Sequence, residues 1–215
     1  MTSECHTSLE ELGDKIVNIP NPLAPEIENL ARNEGNKFDI NSMIFVGHIL
    51  PTKGINELLS AVEVLPEATL TVIGQDTVGI IALHRKQHPD LYSSGKIKYL
   101  GERSIEDVIH YMKTGVFVFP SYTEGFPNVI LESMACGVPI IASNVGAIPE
   151  MLNIGTAEEC GICIPARDKE QLCEAINSVM SDTNMAALMG KKARLRVHKE
   201  YNIESVANKI LAAWH

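Results

Sequence analysis

From residue 42 onward, short uninterrupted apolar runs alternate with segments whose apolar residues recur at helical spacing. The run 43–46 closes on Gly47, and 53–65 then places Ile55, Leu58, Leu59 and Val62 on one helical face. The same alternation predicts strands at 69–73, 97–100, 116–119, 138–142 and 161–164. Helices are predicted at 78–88, 105–112 and 128–136, and three more close the chain at 168–182, 184–199 and 203–214. Strict β–α alternation with strands apolar on both faces implies a parallel sheet covered on both sides, a doubly wound α/β domain. In such sheets ligands bind beyond the carboxyl ends of the strands. That directs attention to Gly47-His48, Gly74-Gln75-Asp76, Gly101-Glu102-Arg103, and the stretches 121–128 and 143–146. Residues 1–41 read differently: a helix end at 9–14, one strand at 15–19, then a rigid Asn-Pro-rich segment beginning at Asn18. The expected division is a remnant of a first domain with its linker over 1–41, and the doubly wound domain over 42–215.

Composition narrows the function classes. A chain of 215 residues with 45% hydrophobic and 21% charged residues is an ordinary globular composition. Its formal charge of −9 repels polyphosphate backbones, which argues against nucleic acid as a partner. No apolar run approaches the roughly 18 residues a membrane span needs. Membrane contact is therefore not visible, and with no secretory pattern at the N-terminus the expected location is cytoplasmic. Cysteines fall at 5, 136, 160, 163 and 173. Cys160 and Cys163 make a Cys-x-x-Cys, but Cys-Gly-Ile-Cys-Ile-Pro reads as a strand, on which residues three apart face opposite ways. With no second Cys-x-x-Cys and no paired histidines to complete a metal site, these are expected to be core cysteines. His84, His88, His110 and His198 fall on polar helical patterns and are expected at the surface.

The stretch Ser121-Tyr-Thr-Glu-Gly-Phe-Pro-Asn-Val-Ile-Leu-Glu carries most of the candidate chemistry. Glu124 falls in the loop after a strand and Glu132 in the helix that follows. Pro127 suits the first helical turn, and the free N–H groups behind it form an anion site. Glu132 lies among Val129, Ile130, Leu131, Met134 and Ala135, so its carboxylate needs hydrogen-bond partners to offset desolvation. Ribose hydroxyls would serve. Lys53 by itself has a simpler reading, an exposed pair with Glu57 one helical turn on.

Taken together, these residues resemble the E-x7-E signature of retaining glycosyltransferases of the GT-B fold, the large group called family 4 or group 1. Other pieces agree in order: Phe45-Val-Gly-His-Ile-Leu-Pro-Thr-Lys-Gly, Val72-Ile-Gly-Gln-Asp, Tyr99-Leu-Gly, Gly137-Val-Pro-Ile-Ile-Ala-Ser and Gly161-Ile-Cys-Ile-Pro. The resemblance implies a Rossmann-like, nucleotide-sugar-binding C-terminal domain. By position, Lys53 would hold the donor diphosphate, with His48 beside it. Glu124 and the backbone of Gly125, Phe126, Pro127 and Asn128 would border the transferred sugar and distal phosphate, and Glu132 would bind the ribose. Gly47 and Val129 would complete the donor site, and the segment around Arg103 would face the base. No metal or cofactor is implied, and the sequence has no Asp-x-Asp. One departure stands out: His48 occupies the place of a usual arginine, exchanging a permanent bidentate charge for a mostly neutral ring. The expected partners are a nucleotide-sugar donor and an N-terminal acceptor-binding domain that this stretch lacks, without which transfer is not expected. A subunit of a split enzyme, a non-catalytic binding module and a nucleotide-sugar epimerase of the same fold are the alternatives.

Overall fold

The computed structural model of the chain describes residues 19–32 and 38–214. Its strands are β1 (Ser42–Val46), β2 (Thr69–Ile73), β3 (Ile97–Gly101), β4 (Val116–Phe119), β5 (Ile140–Ser143) and β6 (Ile162–Ile164). All pair in parallel, in the order β3-β2-β1-β4-β5-β6. This is the doubly wound, Rossmann-like order, in which the chain starts at the centre, winds to one edge, then returns to build the other half. The central strands are sealed on both faces, since every position of β4 and β5 is buried.

The helices are α1 (Pro25–Ala31), α2 (Ile55–Val64), α3 (Ile80–Gln87), α4 (Pro89–Ser93), α5 (Ile105–Met112), α6 (Asn128–Cys136), α7 (Ile148–Met151), α8 (Lys169–Ser181), α9 (Thr183–Glu200) and α10 (Ile203–Trp214). α2 packs on α8, while α6 packs on α1, α5 and α9. Predicted and observed elements coincide at 105–112, 116–119 and 128–136. The helix expected over 78–88 is shorter because Gly79, at φ 76°, turns the chain, and the Asp76 carboxylate accepts from the N–H groups of Ile80 and Ile81. α1, α4 and α7 had no counterpart in the periodicity. Each is short with a proline at its start, and a few residues cannot display a helical period.

Residues 19–32 share the core of the sheet domain. Leu23, Ile27 and Ala31 are buried in it, and the Leu23 N–H donates to the Tyr201 carbonyl at 2.7 Å. Lys113 Nζ donates to the carbonyl of Leu30. The helix and strand expected over 9–14 and 15–19 lie, apart from Ile19, outside the described residues. Cys160, Cys163 and Cys173 are free thiols. Cys160 is buried with its sulfur on the Leu152 carbonyl, and burial pushes its pKa up to about 11 and that of Cys163 up to about 12. Among the described residues, no helix is long and apolar enough to cross a membrane.

Candidate active site

The order of the sheet reverses between β1 and β4, so the loops leaving these two strands flank a crevice. Two glycines allow them to close up. Gly54 sits at φ 68°, where a Cβ would lie 1.9 Å from the Pro120 carbonyl oxygen. Gly146, in the loop after β5 at φ 56°, would bring a Cβ to 2.2 Å from the backbone carbonyl oxygen of Glu124, so that loop closes on the one after β4. Only glycine satisfies both the backbone angle and the space. Further backbone bonds tie the loops together, Tyr122 N–H to Thr52 O at 2.8 Å and Ala147 N–H to Gly125 O at 2.9 Å.

Across this crevice Lys53 Nζ meets Glu124 Oε1 at 2.6 Å, with side-chain exposures of 25% and 11%. The simpler expectation for Lys53, a pair with Glu57, is not what forms; Glu57 instead accepts from the Tyr122 hydroxyl. The same Glu124 Oε1 accepts from Ser121 Oγ at 2.6 Å, and Lys53 Nζ also lies 5.6 Å from the centroid of the Phe119 ring. Ser121 is wholly buried and had not been singled out. The available signal was the Ser-x-x-Glu spacing, which lets a hydroxyl reach a carboxylate across one turn of loop.

Pro127 is the cap residue preceding α6, not its first turn, because its ψ of 114° is extended. No side chain caps α6, so its first N–H groups at Asn128 and Val129 keep their hydrogen-bonding capacity beside Glu124 and Gly125. Gly125 and Asn128 are exposed, Pro127 is buried, and Val129 is half-buried. The Phe126 ring turns away to pack on Tyr201, with centroids 6.0 Å apart, leaving its backbone at the edge.

A second cluster lies beyond β1, β2 and β3. Gly47, His48, Gly74, Gln75, Glu102 and Arg103 line a cavity of about 190 Å³. His48 and Arg103, far apart in sequence, thus share one cavity; both are exposed, and Arg103 Nη1 donates to the Glu102 carbonyl at 2.9 Å.

Glu132 is placed elsewhere again. It lines a small cavity of about 60 Å³ with Asn128, Leu131 and the segment Pro22, Leu23, Ala24 and Ile27. Burial raises its pKa, and no described residue donates to its carboxylate. The neighbouring Asn128 Oδ1 accepts from Asn21 Nδ2 at 3.1 Å.

Two expectations about histidines are corrected. His84 is not at the surface: its side chain is 12% exposed and donates or accepts at both ring nitrogens, to Glu63 Oε1 at 2.6 Å and Tyr92 Oη at 2.9 Å. His84 and His88 are also paired after all, their rings stacked 4.7 Å apart, His84 in the last turn of α3 and His88 just past its end. The polar pattern of α3 hid this, because the polar partner of His84 comes from a different helix.

The profile of glycosyl transferases group 1 matches residues 26–196. The chain belongs to that family. Among its relatives, the lipopolysaccharide core biosynthesis mannosyltransferase LpcC of Rhizobium leguminosarum bv. viciae is 32% identical over 79% of this chain and 49% of its own length. The capsular polysaccharide biosynthesis glycosyltransferase CapM of Staphylococcus aureus is 30% identical over 75% of this chain and 42% of its own. Of solved structures, sucrose-phosphate synthase from Thermosynechococcus elongatus superposes with a TM-score of 0.72 at 26% identity, covering 98% of this chain and 55% of that one. Anabaena Alr3699/HepE in complex with UDP shares the fold, at a TM-score of 0.70 and 21% identity over 88% of this chain and 52% of that one. The chain therefore spans about half the length of the relatives it matches.

Proposed function

We propose that this member of glycosyl transferases group 1 binds a nucleotide sugar along the carboxyl edge of its sheet and serves transfer with retention of configuration. The observation that carries the reading is the Lys53–Glu124 contact at the reversal point of the sheet, beside the uncapped N-terminus of α6. Lys53 and the first N–H groups of α6 offer positive charge where a leaving diphosphate would develop negative charge. Glu124, with Oε1 engaged and Oε2 receiving no bond from a described residue, is left an acceptor for sugar hydroxyls. The His48–Arg103 cavity suits the base at Arg103, with His48 toward the diphosphate, and Glu132 is assigned to the ribose.

In this reading, binding and charge stabilisation come from side chains and backbone without a metal. The acceptor is held by a second domain, in a longer chain or a separate polypeptide. Relatives about twice as long support that division. A crevice with one wall can neither exclude water nor position an acceptor.

Titration calorimetry with UDP, GDP, ADP and their sugar conjugates, with and without EDTA, tests the proposal. At least one nucleoside diphosphate should bind with an affinity indifferent to EDTA. Lys53→Met should weaken it by about 1.5–3 kcal/mol, the worth of one charge-assisted hydrogen bond. Absence of binding, or an absolute requirement for magnesium or manganese, would overturn it.

A further inference from the structure

Glu63, His84 and His88 form a cluster that the donor site does not use. Each offers one ligand atom, and the three atoms lie within 4.8 Å of one another. Glu63 Oε1 stands 2.6 Å from His84 Nε2 and 3.7 Å from His88 Nε2. Two histidines four residues apart at the end of α3, facing a glutamate from α2, make a three-ligand set of imidazole and carboxylate. Such a set suits zinc and its borderline neighbours with one position open.

A tetrahedral ion with bonds of about 2.0–2.2 Å separates its ligand atoms by roughly 3.3 Å, so small side-chain rotations close this geometry. The outer partner that metal-bound imidazoles normally have is also in place: His84 Nδ1 lies 2.9 Å from Tyr92 Oη on α4. The Tyr92 hydroxyl can either donate or accept. It can accept from Nδ1–H when Nε2 holds a metal, and donate to Nδ1 when Nε2–H bonds Glu63.

The geometry points to a divalent transition-metal site of the zinc class, held by Glu63, His84 and His88 and oriented by Tyr92. Its place in the fold gives it a bridging position between helices, with its fourth position left to water. α2 and α3 follow β1 and β2 and run back against them, so Glu63, one residue from the end of α2, and His88, just past α3, lie at the amino edge of the sheet. That is the edge opposite the proposed donor site, so the ion would staple α2 to α3 and, through Tyr92, to α4. The inference does not depend on the proposed donor chemistry.

Cobalt(II) titrated into the full chain, followed by zinc, provides the test. One equivalent of cobalt should bind with visible d–d absorption and no thiolate charge-transfer band, and zinc should displace it. His88→Gln and Glu63→Gln, both at partly exposed positions, should weaken binding more than tenfold while leaving the circular dichroism spectrum and the nucleoside diphosphate affinity unchanged. Tyr92→Phe should cost roughly 10–100-fold, the usual effect of removing an outer partner. A thiolate band that persists in His88→Gln would assign the ion to cysteines and overturn the site. So would equal affinity in all variants, or no stoichiometric binding in the parent.

Discussion

Lys53 and Glu124 are 71 residues apart in the chain and 2.6 Å apart in space, and that contact sets what each can do for a ligand. Glu132 is the opposite case, a carboxylate with apolar neighbours and no described donor. Burial raises its pKa above 4.5, so the folded chain holds that proton more tightly than the unfolded one. Stability from this group is therefore lost as pH rises from about 4.5 through the folded value. Glu132→Gln should be more stable than the parent at pH 7, with the difference vanishing below about pH 4.5, as read by urea denaturation across that range. The same substitution should weaken a nucleoside diphosphate if ribose hydroxyls are what the carboxylate awaits. Glu124→Gln should not weaken it, since a diphosphate without its sugar gives Glu124 nothing to hold, and loss of the carboxylate charge frees Lys53 for the phosphates. A Glu132→Gln protein less stable than the parent at neutral pH would show that the carboxylate has a partner. These two glutamates were legible because a fixed spacing put one in a loop and one in a helix. Ser121 had a signal only in its Ser-x-x-Glu spacing, and the Glu63–His84 contact had none, because it depends on a partner that neither period nor composition names.

Among the elements, those with an apolar stripe long enough to show its period were legible, and those whose position depends on another backbone were not. α9 shows the difference. Its period predicts a helix, yet Gly190 in its middle costs about 1 kcal/mol of helix propensity against alanine. The reason lies across the interface with α6. A Cβ on Gly190 would stand 2.2 Å from the carbonyl oxygen of Gly137, the residue that ends α6 at φ 67°. Backbone cannot give way as a flexible side chain can. Gly190→Ala should therefore destabilise by about 1–3 kcal/mol in spite of the propensity gain, the range for forcing atoms into a packed core. Lys191→Ala, at an exposed position on the same helix, should stay within about 0.5 kcal/mol of the parent. Urea denaturation of the two variants decides the matter, and a stabilised Gly190→Ala would mean the helices can separate without loss. For the same reason α1 was read as part of a linker: Pro25 and its short length mask a segment that Leu23, Ile27 and Ala31 anchor in the core.

At the scale of the whole molecule, the parallel order of the sheet followed from β–α alternation, because a right-handed crossover through each helix leaves few other arrangements. Charge raises a different question. The chain carries a formal charge of −9, and the proposed ligand is itself a polyanion. Local attraction from Lys53 and the first turn of α6 must therefore act against a repulsive field from the rest of the surface. The two have different ranges. At about 0.01 M salt the Debye length is about 30 Å, so the whole surface is felt; at 0.15 M it is about 8 Å, and the distant charges drop out. Contacts at hydrogen-bond distance inside a partly buried crevice are screened much less. Raising sodium chloride across that interval should therefore leave nucleoside diphosphate affinity within about threefold, or tighten it. A protein that attracts polyanions through a field of exposed cations behaves in the opposite way and loses orders of magnitude over a similar interval. Calorimetric titrations at the two salt concentrations separate these cases. A steep loss would place the ligand on scattered surface lysines and arginines instead of at the crevice between β1 and β4.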